Sequence, residues 1–175
     1  MMQWAILFGT ALLLIVIDQI AKALVVENLL LYETWIPIPA IDDFFEITYT
    51  QNTGAAFGLL KSASNAFLVI AIVASAVIIY YYRQLRSRAW LLRVAMGLQL
   101  GGALGNAVDR VTRGFVVDFL HVYYEPIGFD WPIFNLADAA IVVGVLVLIL
   151  LLGREEKSDL PETASQEVES GSAGD

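Results

Sequence analysis

The chain has 175 residues, 58% of them hydrophobic and only 16% charged, with a mean hydropathy of +0.70; a soluble domain is nearer half apolar and about a quarter charged, so a soluble globular enzyme is excluded as the first reading. The formal charge of −8 is concentrated at one end, where seven acids and two bases between Arg154 and Asp175 supply −5 of it. The near-balanced body leaves nucleic acid an unexpected partner, and the absence of cysteine removes disulfides, thiolate catalysis and Cys-ligated metal.

A bilayer core of about 30 Å needs roughly 20 apolar residues in a helix. Four stretches meet or approach that length, at about 4–26, 65–82, 90–108 and 133–152. The first lacks a basic start and a small-residue cleavage site, and its apolar run is too long for a secretory leader, so it reads as a permanent helix. After it, Trp35-Ile36-Pro37-Ile38-Pro39 resists helix, because each proline pushes its predecessor toward extended geometry. Phe45 to Thr50 is β-branched and aromatic and reads as a strand, followed by a turn at Asn52-Thr53-Gly54. A small sheet on the outer membrane surface is expected there, between the first and second helices, with Phe44, Phe45 and Tyr49 at the interface.

Arg83, Arg86, Arg88 and Arg93 gather between spans two and three, and Arg154 and Lys157 follow span four. The positive-inside rule makes these segments cytoplasmic and places 27–64 and 109–132 on the outer side, with both termini inside. The fold class expected is an α-helical integral membrane protein of four transmembrane helices, with a membrane domain over 1–153 and an acidic, disordered cytoplasmic tail over 154–175. There is no internal repeat.

Ionisable side chains inside a span are expensive and mark functional sites by default. Asp18 and Lys22 stand at i and i+4, acid first, the favourable order for a helical pair. They lie roughly 21 and 27 Å along the first helix from Trp4, toward its outer end. The pair reads either as structural, with Lys22 snorkelling outward, or as the border of an active site. Gly97, Gly101 and Gly105, four apart, read as a helix-packing stripe. Asn106 and Arg110 share a face, which suits a neighbouring loop or a bound peptide backbone, and Asp109 reads as the ion-pair or helix-end partner of Arg110. Asp118 sits in the apolar run Val116-Val117-Asp118-Phe119-Leu120, and Asp138 about one turn inside span four. The topology delivers both carboxyls to one depth, where one retains a proton while the other acts as base. Catalysis with water as nucleophile and a structural or ion-coupling role both remain open on spacing alone.

These residues fall in four blocks. Asp18-Gln19-Ile20-Ala21-Lys22, Asn52-Thr53-Gly54-Ala55-Ala56-Phe57-Gly58, the run from Gly101-Gly102-Ala103-Leu104-Gly105-Asn106 through Asp109-Arg110 to Gly114-Phe115-Val116-Val117-Asp118-Phe119, and Phe134-Asn135-Leu136-Ala137-Asp138 resemble, in order and spacing, those of lipoprotein signal peptidase (signal peptidase II). The resemblance spans roughly residues 4–152 and departs at Ala21, where Thr or Ser is expected before the lysine. It implies an aspartic endopeptidase of the bacterial cytoplasmic (inner) membrane, active near the outer face, which removes signal peptides from diacylglyceryl prolipoproteins just before the lipidated cysteine. It further implies Asp118 and Asp138 as the catalytic pair, supported by Asp18, Lys22, Asn52, Gly54, Asn106, Arg110 and Asn135. Asn106 and Arg110 are expected to hold peptide carbonyls, and Asn52 and Gly54 to position the loop over the site. Neither metal nor cofactor is expected; the partners are the prolipoprotein substrate and membrane lipid, and the chain is expected to be a monomer.

Competing chemistries fare worse. One histidine, His121, allows no His-Glu-x-x-His zinc site, and it reads as a structural interfacial residue. No Gly-x-Ser-x-Gly elbow is present, and Lys61 and Ser62 are adjacent, a poor geometry for a Ser–Lys dyad. The alternative from another class is a small ion-coupled transporter or channel subunit using Asp18, Lys22, Asp109 and Asp138. It predicts polar residues near the midplane, whereas here they gather toward one face.

Overall fold

The computed structural model describes residues 2–54, 63–84 and 90–158. Among them run α1 (Met2–Asn28), β1 (Thr34–Trp35), β2 (Phe45–Asn52), α2 (Ala63–Gln84), α3 (Trp90–Thr112), β3 (Val116–Tyr124), β4 (Phe129–Asp130) and α4 (Leu136–Ser158). The first three helices are long and apolar enough to cross a membrane; the apolar part of α4, Leu136–Leu151, is shorter. Lys61, Ser62 and the tail beyond Ser158 lie outside the described residues.

Three helix boundaries differ from expectation. Span three does not stop at 108, because α3 runs to Thr112 and the N–H groups of Arg113 and Gly114 still bond to the carbonyls of Asp109 and Arg110. Gly114 then ends the turn with a φ of +82°. Span four does not start at 133, because Phe134 exchanges backbone hydrogen bonds with Leu120 of β3, and the helix begins at Leu136. It continues to Ser158, past the expected boundary at 154.

Helix α3 is the hub, packed against α1, α2 and α4 and buried along most of its length. The other three present leucine, isoleucine and valine outward, among them Leu12, Ile20, Val69, Ile70, Val142 and Leu146. An apolar exterior around a partly polar interior suits hydrocarbon rather than water as the surrounding solvent. The glycines of α3 set its distance from two neighbours. A Cβ at Gly101 would lie 2.9 Å from Ala11 Cα on α1, and one at Gly102 only 2.4 Å from Ala137 O on α4. Helices without side chains at the contact approach backbone to backbone. At the end away from the sheet, Leu7, Met96 and Leu100 close around Tyr82, whose hydroxyl receives a hydrogen bond from the buried Arg93.

The sheet is antiparallel throughout, in the order β1-β2-β3-β4. It is larger than the expected segment between α1 and α2, because the α3–α4 connection supplies β3 and β4. The central pair sets Thr50 opposite Asp118 and Asn52 opposite Val116, with an irregularity between Ile47 and Thr50. Trp35 lies in β1, while Pro39 opens a short 3-10 turn, where its missing N–H costs nothing. Tyr49 is no interfacial aromatic: it packs with Val25, Val117 and Phe119 in the cluster that fastens the sheet to α1. Phe44 does remain at the surface, stacked on Tyr124 with ring centroids 4.5 Å apart.

Candidate active site

The C-terminal ends of α1 and α3, the N-terminal end of α4 and the middle of the sheet meet at one end of the bundle. Asp118 is almost wholly buried on β3, and both of its oxygens are occupied by amide donors. Asn135 Nδ2 donates to Oδ1 at 2.6 Å, and Asn52 Nδ2 donates to Oδ2 at 2.9 Å. Asp138 lies in the first turn of α4, where Asn106 Nδ2 donates to its Oδ1 at 2.7 Å. Asn135 Nδ2 also donates to Asn106 Oδ1 at 3.2 Å, so two asparagines connect the two carboxyls.

Local sequence explains this placement. Asn135 caps α4: its Oδ1 accepts the Asp138 N–H at 2.9 Å, and Asp138 Oδ2 accepts the Asn135 N–H at 3.3 Å. This reciprocal arrangement is a capping box with Asp in the returning position. It fixes the carboxyl of Asp138 relative to its own helix start. Asn52 Oδ1 accepts the N–H of Gly54 at 2.8 Å, an Asx turn with Gly54 at φ +74°. A Cβ at Gly54 would lie 2.5 Å from the Phe67 ring. The turn thereby holds the Asn52 amide against Asp118.

A second polar cluster lies behind the first. Asp18, Lys22 and Asp109 are each fully buried. The lysine Nζ reaches Asp18 Oδ2 at 2.8 Å, Asp109 Oδ2 at 2.8 Å and Asn106 Oδ1 at 3.0 Å, which uses all three of its donors. Lys22 therefore does not snorkel, since its three partners hold it inward. Asp18 Oδ1 accepts the Ala137 N–H at 3.1 Å, satisfying another free donor at the start of α4. Asp109 Oδ2 accepts the N–H of Val117, next to Asp118, at 3.2 Å. Gly105 leaves room for this contact zone, since a Cβ there would lie 3.2 Å from Asp18 Oδ2.

The expected pairing of Asp109 needs correcting. Asp109 pairs with Lys22 and Arg113, because the side chain of Arg110 turns the other way. Arg110 donates to the carbonyl of Asn106 at 3.2 Å and lies over the Phe67 ring at 5.3 Å, and its buried Nε has no hydrogen-bond partner among the described residues. Asn106 is built into the site network: its Nδ2 donates to Asp138 and its Oδ1 accepts from Asn135 and Lys22, bonds that use one of its two amide N–H groups. Gln19 and Arg113 were not singled out by sequence reasoning. Gln19 Nε2 donates to Asp109 Oδ1 at 2.9 Å, Arg113 donates to Gln19 Oε1 at 3.0 Å, and Arg113 is also ion-paired with Asp109. The i, i+4 spacing of Asp109 and Arg113 was the available signal.

Burial pushes the Asp118 carboxyl up to about 6; the neighbouring Asp138 adds to the rise, and the donors Asn52 and Asn135 oppose it. A carboxyl that keeps its proton above the ordinary carboxylate range, beside a second carboxyl, is equipped for acid–base work. The surrounding side chains are amide donors, which suit carboxyl oxygens and compete with a metal for them. Among the described residues no three His, Cys, Asp or Glu side chains converge as metal ligands. His121 lies on the outer part of the sheet, with Nδ1 at 2.8 Å from Glu46 and Nε2 at 2.8 Å from Asp130. Burial would lower its ionisation, but the two carboxylates outweigh burial and raise it. It belongs to the sheet surface, as expected of a structural histidine.

Fold and site together define a helical membrane protein with a paired-carboxyl centre at one end of its bundle. The family model for signal peptidase (SPase) II matches residues 10–153. A lipoprotein signal peptidase of Symbiobacterium thermophilum is 46% identical over 142 residues, which is 81% of this chain and 90% of that protein. Another, from Halothermothrix orenii, is 42% identical over 146 residues, covering 83% and 94%. A solved structure described as a bacterial membrane enzyme superposes with a TM-score of 0.74 at 32% identity, covering 87% of this chain and 90% of that one. The chain belongs to the signal peptidase II family, and is a peptidase by that membership.

Proposed function

We propose that this protein is an aspartic endopeptidase that removes the signal peptide from diacylglyceryl-modified prolipoproteins, cutting on the amino side of the lipidated cysteine. The observation that carries the aspartic mechanism is the joining of Asp118 and Asp138, from β3 and α4, through Asn135 and Asn106. The family resemblance supports the substrate class. The ion-transport alternative has no comparable support, since the polar groups gather at one end of the bundle.

In the reaction, the ionised carboxyl takes a proton from a water whose oxygen attacks the scissile carbonyl carbon. The protonated carboxyl donates to the carbonyl oxygen, giving a neutral tetrahedral diol. Its collapse breaks the C–N bond as the proton taken from water passes to the leaving nitrogen, which becomes the amino group of the lipidated cysteine. The second carboxyl recovers its proton from the diol, so the pair ends in its starting state. Arg110, on the same face of α3 as Asn106, is assigned to the peptide backbone as a guanidinium donor. An apolar groove of about 510 Å³ lined by Ala21, Leu24, Val25, Trp35, Ile47 and Phe119 lies beside the site, and its lining suits a hydrocarbon chain.

The wider setting follows from the same reading. All four helices cross the bacterial inner membrane as one monomeric chain, both termini are cytoplasmic, and the carboxyl pair lies at the outer face. Purified protein incubated with a diacylglyceryl prolipoprotein and with its unlipidated form tests the function. Cleavage before the cysteine with strong preference for the lipidated form is expected. Equal cutting of unrelated soluble peptides would overturn the substrate assignment.

A further inference from the structure

Arg113 stands just past the end of α3, and its backbone N–H bonds to Asp109 O at 2.7 Å. Its guanidinium folds back over the last turn to Asp109 and to Gln19 Oε1, a placement that the negative end of the helix favours. Within the buried cluster, Asp18 and Asp109 bring two negative charges and Lys22 one positive charge. Arg113, 26% exposed, supplies the second positive charge in direct contact. Arg110, the adjacent cation, makes its contacts with Asn106 O and Phe67.

We propose that Arg113 is a positioning residue for peptide hydrolysis, acting through Asp109, Lys22 and Asn106 to hold the carboxyl of Asp138. The assignment rests on the aspartic-peptidase reading and goes beyond it, since Arg113 touches neither carboxyl of the pair. A surplus negative charge on buried Asp109 is costly, and without Arg113 the nearest cation to neutralise it is Lys22. Of the three partners of Lys22, Asn106 is the one without charge and the farthest, at 3.0 Å, so it is the one released. The Asn106 amide then loses the contact that orients its oxygen, and its 2.7 Å bond to Asp138 is no longer held in register. Gln19 joins the two ends of the device, donating to Asp109 and accepting from Arg113.

The test compares full-length wild type, Arg113→Gln and Arg113→Lys in the same lipid, on the lipidated prolipoprotein. Arg113→Gln is expected to lose about 10- to 100-fold in kcat, as a small displacement of a reacting group does, with KM little changed. Arg113→Lys keeps the charge and is expected to recover most of the loss. Unchanged kcat in Arg113→Gln, a defect confined to KM, or a Lys variant as damaged as the Gln variant would each overturn the proposal. Should the Gln variant fail to insert, a Lys variant that folds but loses more than about tenfold in kcat overturns it alone. Carbon-13 carboxyl titration of the Asp118–Asp138 pair gives a readout independent of turnover. It is expected to move upward in Arg113→Gln and to stay in place in Arg113→Lys. If wild type cleaves nothing, the peptidase reading fails, while an unmoved titration in Arg113→Gln still overturns the positioning role.

Discussion

Asp118 and Asp138 carry the chemical argument, and each is expected to be indispensable. Asp118→Asn and Asp138→Asn keep size and some hydrogen bonding but cannot exchange a proton with water or the leaving amine. Each is expected to lower kcat by about 10²- to 10⁴-fold, the usual worth of a positioned acid or base. The double variant should be little worse than either single one, because the groups act as a unit. Purified single and double variants compared in one assay check both points, and near-normal turnover in Asp118→Asn would show the pair to be wrongly chosen. With Asp118 raised to about 6, the one-proton state of the pair extends upward from the ordinary carboxylate range. The basic limb of kcat/KM is therefore expected near pH 6 rather than near 4, as a property of the pair. A flat profile from about pH 5 to 8 contradicts it. Stability follows the same sign: Asp118 holds its proton in the fold while the unfolded chain has lost it, so its contribution declines as pH rises from about 4 to about 6. The two carboxyls stood out in the sequence as acids in apolar runs, but spacing left a structural role open and only the family resemblance named them as the pair. Gln19 and Arg113 did not stand out, because polar residues near helix ends are commonplace and only the folded contacts distinguish these two.

The long helices were legible, since length and hydropathy alone specify a span. The sheet was legible only in β2, where Phe45 to Thr50 is β-branched and aromatic. Strands β1 and β4 have two residues each, too few for any periodicity, and their pairing comes from what lies beside them. The capping box at Asn135 explains why α4 begins three residues later than the apolar run suggested. The glycine stripe reads as packing, and Gly97 and Gly101 do meet α1, while the neighbouring Gly102 meets α4 and so bears on how near Asn106 comes to Asp138. Gly102→Ala tests that consequence. The new Cβ would meet Ala137 O at 2.4 Å, backbone that cannot turn aside. Overpacking of this kind typically costs about 1–3 kcal/mol, so a lower Tm is expected together with reduced kcat. Gly153→Ala, with nothing within 4 Å of its Cβ position, is the matched control and should leave both unchanged. Full activity in a destabilised Gly102→Ala protein would separate packing from catalysis.

For the molecule as a whole, the orientation in the membrane decides which compartment the carboxyl pair faces. Arg83 lies in the last turn of α2, and Arg86 and Arg88 follow it in the sequence before α3 begins at Trp90, the end of α3 opposite to Asn106 and Asp109. Basic residues in short connections are retained on the cytoplasmic side. The sheet end carries Asp42, Asp43, Glu46, Glu125 and Asp130, acids that contribute little to orientation, and among its bases Lys22 and Arg113 are ion-paired with buried aspartates. On the orientation proposed above, the same charges are expected to turn the carboxyl pair outward, toward translocated substrate. Because the protein contains no cysteine, single-cysteine labelling reports this directly. In intact cells, Asp43→Cys is expected to react with a membrane-impermeant maleimide, and Ser87→Cys to react only after the cells are opened. A bacterium with an outer membrane would need that barrier made permeable first. Labelling of Ser87→Cys with Asp43→Cys protected would reverse the orientation and leave the carboxyl pair facing the cytoplasm, where no exported prolipoprotein could reach it.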